Sequence, residues 1–199
     1  MKILLSLLLI CLTSTSVLAF DQTHSQFDSL LKQHVRWNAA GVASQVDYSG
    51  FQRDKVQFQS YLDTLSQVPK AEFDSWPKDA RLAFLINAYN AFTIDLILTG
   101  YPEIESIKDL GSFFSSPWSK SFINLLGEER SLDDIEHKMI RVPGAYDDPR
   151  IHFAVVCASI GCPGLRNQAF TADKVEEQLE DSLRRFLSDQ SRNRYNAQS

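Results

Sequence analysis

Lys78-Asp79-Ala80-Arg81-Leu82-Ala83-Phe84-Leu85-Ile86-Asn87-Ala88-Tyr89-Asn90-Ala91-Phe92-Thr93-Ile94-Asp95-Leu96-Ile97-Leu98-Thr99 is the stretch that decides the fold. From Leu82 to Ala91 it is almost wholly apolar, and Phe92 to Leu98 continues the pattern. Gly100 and Pro102 are stop signals just past its end. Apolar residues on every face predict a central, buried helix over 78–99 rather than an amphipathic one at the surface. The stretch is long for a globular helix and too polar for a bilayer. Asn87 and Asn90 break the apolar pattern three positions apart, so they share a face. A buried amide without partners costs about 1–3 kcal/mol. These two therefore either clamp the backbone of neighbouring loops or face a site, where one orients an imidazole or donates to a developing oxyanion.

Working outward, residues 25–40 read as an amphipathic helix, with Phe27, Leu30, Leu31 and Val35 on one side. Residues 41–51 read as a loop or short extended piece. Residues 54–67 are a second helix, with Val56, Phe58, Tyr61, Leu62 and Leu65 apolar, and turn-rich sequence up to Pro77 follows it. Residues 112–119 are loop-like and carry Phe113, Phe114 and Trp118 as exposed-looking aromatics, a candidate contact surface. Phe122 to Leu132 reads as a small hairpin. It feeds a helix over 132–141 with Ser131 as its N-cap and acidic residues in its first turn. A last helix begins at Thr171 or Asp173 and runs to Ser188, with Val175, Leu179, Leu183, Phe186 and Leu187 inward. The expected fold is α+β: a mostly helical single domain, 20–189, packed around a small β-sheet, with a polar tail over 190–199.

Asp148-Pro149-Arg150-Ile151-His152-Phe153-Ala154-Val155-Val156-Cys157-Ala158-Ser159-Ile160-Gly161-Cys162-Pro163-Gly164 is where chemistry is expected. Ile151–Val156 is short, β-branched and bounded by Pro and Gly, which predicts a buried strand leading into a thiol loop. On such a strand His152 and Cys157 point to opposite faces about 16 Å apart. They cannot form a direct dyad, and His152 reads as a core histidine or a partner of Glu136 or the Asn pair. His137 comes from another element and is freer to reach the thiol. Placing Leu132 at zero and advancing about 100° per residue sets Glu136 inside the apolar arc and His137 at its edge. A buried Glu136 needs a partner, for which Arg150 is the obvious candidate. Asp133 and His137, at i and i+4, could form a carboxylate–imidazole pair that orients and activates a thiol.

Met1-Lys2, the apolar run Ile3–Leu12 and the small residues of Val17-Leu18-Ala19 together read as a secretory signal peptide over 1–19. Ile10 before Cys11 lacks the small residue that a lipoprotein signal needs. The chain has 199 residues and a net charge of −5. Losing Lys2 with the leader leaves 19 cations against 25 carboxylates, a charge of −6. No basic stripe stands out, which argues against nucleic acid as a partner. Only Cys157 and Cys162 survive cleavage, and in an oxidising periplasmic or extracellular compartment they could close a small disulfide. His137, His152, Cys157 and Cys162 are a loose Cys2His2 set that matches no common zinc spacing. No phosphate loop and no G-x-S-x-G elbow occurs, and no cofactor is expected.

Ala83–Ala91, Ser131–His137 and Asp148–Pro163, together with Val46-Asp47-Tyr48 and Tyr101-Pro102, resemble the family catalogued as domain of unknown function 547. The resemblance covers nearly all of the chain past the leader. It implies a bacterial secreted member, and no activity, substrate or cofactor. Leu85 stands where the family usually has Trp. The resemblance also implies that Asn87, Asn90, Glu136, His137, Arg150, His152, Cys157 and Cys162 belong to one region. Three readings follow. The first is a thiol-dependent hydrolase or transferase of the envelope. In it Cys157 is the nucleophile, His137 the base, Asp133 or Glu136 the orienter and Asn87 or Asn90 the oxyanion donor. The second is a non-catalytic module that binds a small molecule or an envelope protein and is held by a Cys157–Cys162 disulfide. The third is a redox or zinc site.

Overall fold

The computed structural model describes residues 19–112, 115–159 and 161–194. Residues 1–18 of the expected leader, Phe113 and Phe114 of the aromatic loop, Ile160 and the last five residues of the tail lie outside them. The element order is α1 (Ser25–His34), β1 (Val35–Trp37), β2 (Ser44–Val46), α2 (Tyr48–Arg53), α3 (Lys55–Ser66), α4 (Lys70–Ser75) and α5 (Lys78–Leu98). Two 3-10 turns, Ile107–Leu110 and Pro117–Ser119, lead to β3 (Ile123–Leu125) and β4 (Glu128–Arg130). A π-helical segment (Asp134–Ile140), a 3-10 helix (Pro149–Phe153) and α6 (Val175–Ser188) complete the fold. The architecture is the mostly helical α+β domain expected, with two separate two-stranded antiparallel ladders.

α5 organises the core. Of its 21 residues, 16 are buried, including Phe84, Leu85, Ile86 and Tyr89. Burying one large apolar side chain contributes about 1.5–3 kcal/mol, so this helix outweighs any other element in the hydrophobic balance. Helices α2, α3 and α6 and the π-helical segment all pack on it. By length and composition α5 could cross a bilayer, but its apolar surface is covered by the rest of the chain.

Several boundaries differ from the sequence reading. The first helix stops at His34 rather than near residue 40, because Val35 turns extended (φ −118°, ψ 127°). β1 then pairs with β2 in the register Val35↔Val46 and Trp37↔Ser44. The turn between them is held by the Asn38 carboxamide, which accepts from the Val42 amide, and by Gly41 at φ +70°. Val56 is 88% exposed and Leu187 55% exposed, so neither lies on its helix's inner face. Trp118 is half-buried against the core, not an exposed contact residue. The described start of the polar stretch 190–199 is tied to the end of α6. Ser191 bonds to Asp189 through its amide and its hydroxyl, and the Asn193 side chain donates to the Phe186 carbonyl.

The largest correction concerns Ile151–Val156. No strand forms there. Pro149–Phe153 is a 3-10 helix, opened by the Asp148 carboxylate, which accepts from the Arg150 amide at 2.9 Å. A short β-branched run is ambiguous between a strand and a buried turn. Here Pro149 supplies a helix-compatible φ at the first position.

Candidate functional site

The two asparagines of α5 are spent on backbone. The Asn90 carboxamide donates to the Ala154 carbonyl at 2.9 Å and accepts from the Val156 amide at 2.9 Å. Asn87 does the same to one residue, donating to the Phe170 carbonyl at 2.8 Å and accepting from its amide at 2.9 Å. Gln178 of α6 repeats the device on the same stretch, donating to the Ala169 carbonyl and accepting from the Thr171 amide. An amide side chain carries a donor and an acceptor side by side and so replaces a strand neighbour for the chain it meets. Asn90 thereby fixes the segment entering Cys157, and Asn87 and Gln178 fix the segment entering α6.

Cys157 and Cys162 are joined in a disulfide. Inside its loop the Cys162 amide donates to the Ser159 carbonyl at 2.9 Å, and Ala158 sits at φ +55°. A non-glycine residue in the left-handed region is uncommon and persists only where its surroundings hold it. The loop walls a cavity of about 260 Å³ between β2, the middle of α5 and the chain after the disulfide. Asn90, Thr93 and Ile94 line it from α5, and Ser159, Cys162 and Leu165 from the loop. Tyr48 borders it as well, and burial pushes its hydroxyl up to about 12, so it stays neutral and able to donate. The cavity is therefore lined mostly by hydroxyls and aliphatic carbons, with the Asn90 carboxamide and the Arg192 guanidinium, whose charge is met by Asp189, at its wall.

Of the residues singled out in the sequence, only Asn90 and Cys162 share this cavity. Asn87 faces Phe170. Glu136 is as sheltered as expected, with its side chain 14% exposed, but its partner is not Arg150. Arg141 pairs with it at 3.0 Å, and the Tyr89 hydroxyl bonds to it. Burial and the Glu136 carboxylate together hold Tyr89 well above the usual phenol range. The cause of the changed partner is helix geometry. The backbone of 134–140 bonds i to i−5, as in the Arg141 amide to the Glu136 carbonyl at 2.8 Å. Residues five apart then meet, as Glu136 and Arg141 do. Asp133 and His137 make no mutual hydrogen bond among the described residues, and His137 is exposed. Ser131 does cap the segment: the Asp134 amide donates to its hydroxyl, and the Asp134 carboxylate accepts from the Ser131 amide.

Arg150 instead ties the 3-10 helix to α6. It forms fork-like bonds to Asp148 (2.7 Å through Nη2) and to Glu176 (2.7 Å through Nη1). His152 is exposed, its ring edge-on to Phe153, and is not a core histidine. The proposed zinc quartet does not assemble. Among the described residues no group of three or more His, Cys, Asp or Glu could hold a metal ion. Sequence reasoning passed over two histidines that are buried. His24 bonds Tyr61 through Nδ1 at 2.8 Å, and His34 bonds Asp54 through Nε2 at 2.7 Å. It also missed Thr93, Ile94 and Leu165 as cavity walls, because nothing in an apolar or hydroxyl residue marks it as lining a space.

The family model described as "Protein of unknown function, DUF547" matches residues 73–187. That span takes in α5, the π-helical segment, the disulfide loop and all but the end of α6. No curated protein and no solved structure matches the chain.

Proposed function

We propose, for a chain that belongs to the DUF547 family of proteins of unknown function, that it is a secreted envelope module that binds an uncharged ligand in the cavity walled by the Cys157–Cys162 disulfide. The observation that carries this reading is the disulfide itself: both sulfurs are bonded to each other and so neither is a thiolate. The exposed positions of His137 and His152 support it further. Neither imidazole is among the residues that line the cavity. About 260 Å³ falls below the roughly 300–1,000 Å³ of drug-sized sites. The occupant is accordingly small: a compact neutral molecule, or one apolar side chain of a partner peptide. The lining hydroxyls of Tyr48 and Ser159 suit an amide or alcohol group, and the aliphatic carbons of Ile94 and Leu165 suit its apolar part.

Export after removal of residues 1–19 is part of the same reading. The packing of residue 20 supports it. Phe20 packs on Trp76 and Phe84, with ring centroids 5.6 and 5.3 Å away, whereas Ala19 is exposed.

A thiol-dependent hydrolase or transferase is the second reading, favoured by one observation: Asn90 and Cys162 border the same cavity. It requires the disulfide to be reduced first. One experiment separates the two. Protein exported to an oxidising compartment is titrated for free thiols without added reductant, and then probed with N-acetyl-leucine amide by amide NMR. The binding reading expects no free thiol, shifts confined to residues around 93–94 and 156–165, and retained binding in Cys157→Ser. Two free thiols, with Cys157 alkylated by iodoacetamide faster than a model thiol, would overturn it.

A further inference from the structure

A second cavity, of about 440 Å³, lies between α4, the first half of α5, the end of β4 and the π-helical segment. Its walls are of two kinds. Phe73, Leu85, Met139 and Tyr146 give it an apolar floor. Four cations stand around that floor, Lys70, Arg81, Arg130 and Lys138, against one lining carboxylate, Asp74. Lys78 adds a fifth positive charge nearby, with its ammonium 5.6 Å from the centre of the Tyr146 ring.

The two lysines are exposed and already paired, Lys70 with Asp74 and Lys138 with Asp134, each at 2.6 Å. The two arginines differ. Arg130 is 15% exposed and meets Glu128 through Nη2 at 2.9 Å, and its Nε is buried with no hydrogen-bond partner. The Arg81 guanidinium makes no ion pair and no hydrogen bond among the described residues, and its Nε is likewise buried and unpartnered. A sheltered guanidinium without a counter-charge is costly and uncommon in a folded protein. Arg81 has none, Arg130 has Glu128, and the one lining carboxylate, Asp74, is taken by Lys70, so an excess of positive charge faces a hydrophobic floor. The Tyr146 hydroxyl feels Arg81: burial raises it, and the guanidinium pulls it back down.

We propose that this cavity binds a small organic anion, with a carboxylate or phosphate group held by Arg81 and Arg130 and an apolar or aromatic body resting on Phe73, Leu85 and Tyr146. Guanidinium groups match the planar, bidentate geometry of both anions. The volume admits a ring with one charged substituent and excludes a folded partner. The inference does not rest on the disulfide cavity, which lies along the later half of α5.

The test uses three probes that share one ring: phenyl phosphate, benzoate and phenol, with inorganic phosphate as a fourth. Binding is followed by amide NMR and by calorimetry. Phenyl phosphate, benzoate or both should bind saturably and shift residues around 73, 81–85, 130 and 144–146, and the comparison tells which anion is preferred. Phenol and inorganic phosphate should each bind at least tenfold more weakly than the preferred aromatic anion. Arg81→Gln should weaken that anion at least tenfold, and Arg81→Lys should restore part of the loss. Circular dichroism of both variants confirms that they are folded, and binding of the neutral probe at the disulfide cavity should be unchanged. The proposal is overturned if no aromatic anion saturates at millimolar concentration, if phenol binds as well as phenyl phosphate, or if a folded Arg81→Gln protein binds as the native one does.

Discussion

Replacing Asn90 with leucine removes one side chain and two hydrogen bonds, and the structure fixes what each loss is worth. The Ala154 carbonyl is buried and has the Asn90 amide as its partner; orphaning it costs about 1–3 kcal/mol. The Val156 amide is only partly buried, so water recovers some of its bond, and about 1 kcal/mol is lost. Asn90→Leu should therefore destabilise the fold by about 2–4 kcal/mol, a substantial part of the roughly 5–15 kcal/mol typical of a domain. The consequence is local as well as global. Asn90 anchors the segment that enters Cys157, so its loss should make the disulfide loop open more often. A local loss of about 2 kcal/mol is roughly thirtyfold in the open population, and reduction by dithiothreitol should accelerate by about that factor. Asn87→Leu is the internal control. It orphans both polar groups of Phe170, which is buried, and so destabilises at least as much. It touches the segment entering α6, beyond the disulfide, and should leave the reduction rate within about threefold of native. Urea melts give the stabilities, and thiol release against time gives the reduction rates. A loss below about 0.5 kcal/mol in Asn90→Leu, or equal reduction rates in the two variants, would refute the assignment of Asn90 as the anchor of the loop.

Reducing the disulfide, or replacing both cysteines by serine, frees a loop of sequence separation 5. Chain entropy assigns so short a loop about 2 kcal/mol, so calorimetry should show a folded protein with Tm lower by about 4–8 °C. His24 is buried, and desolvation lowers its pKa from 6.5 to about 4, opposed by Asp21. Between those values the unfolded chain binds a proton that the native chain refuses. The stability contribution is therefore complete above about pH 6.5 and is lost as pH falls towards 4, in total about 3 kcal/mol. Denaturation of native protein and His24→Gln across that range should differ in slope, and parallel curves would contradict the burial of His24. Gly50→Ala would drive a methyl group into the His34 imidazole and to 2.7 Å from the Asp47 carboxylate. His34 is itself pinned by Asp54, so the variant should lose about 3 kcal/mol by overpacking, measured by urea denaturation.

Helix α5, the β3–β4 hairpin and the Ser131 cap were all legible in the sequence, because each is written in residues within a few positions of one another. The burial of Asn87 and Asn90 was legible too, as was the need for something to satisfy them. The segment after Pro149 was not. Its apolar run suits a strand, but a strand needs a neighbour to receive its backbone groups. Here the Asn90 side chain takes the Ala154 carbonyl and the Val156 amide, 64 and 66 positions away, and the 3-10 bonds take others. The wheel drawn for 132–141 failed in a similar way. It found the shelter of Glu136, but one wider turn moved its partner from Arg150 to Arg141 and left His137 in solvent.

The sequence by itself determined that a buried helix would carry the core, that two amides on it would need partners, and that two cysteines lay close enough to bridge. Those are consequences of local spacing and of the cost of burying polar groups. Only the tertiary structure decided which side chains share a space: Asn90 with Cys162 at one cavity, Arg81 with Arg130 at another, and the imidazoles of His137 and His152 at neither. Convergence depends on how separate segments pack around α5. A carboxylate or a guanidinium takes the partner that this packing brings within about 3 Å, and the order of residues along the chain does not record which one that is.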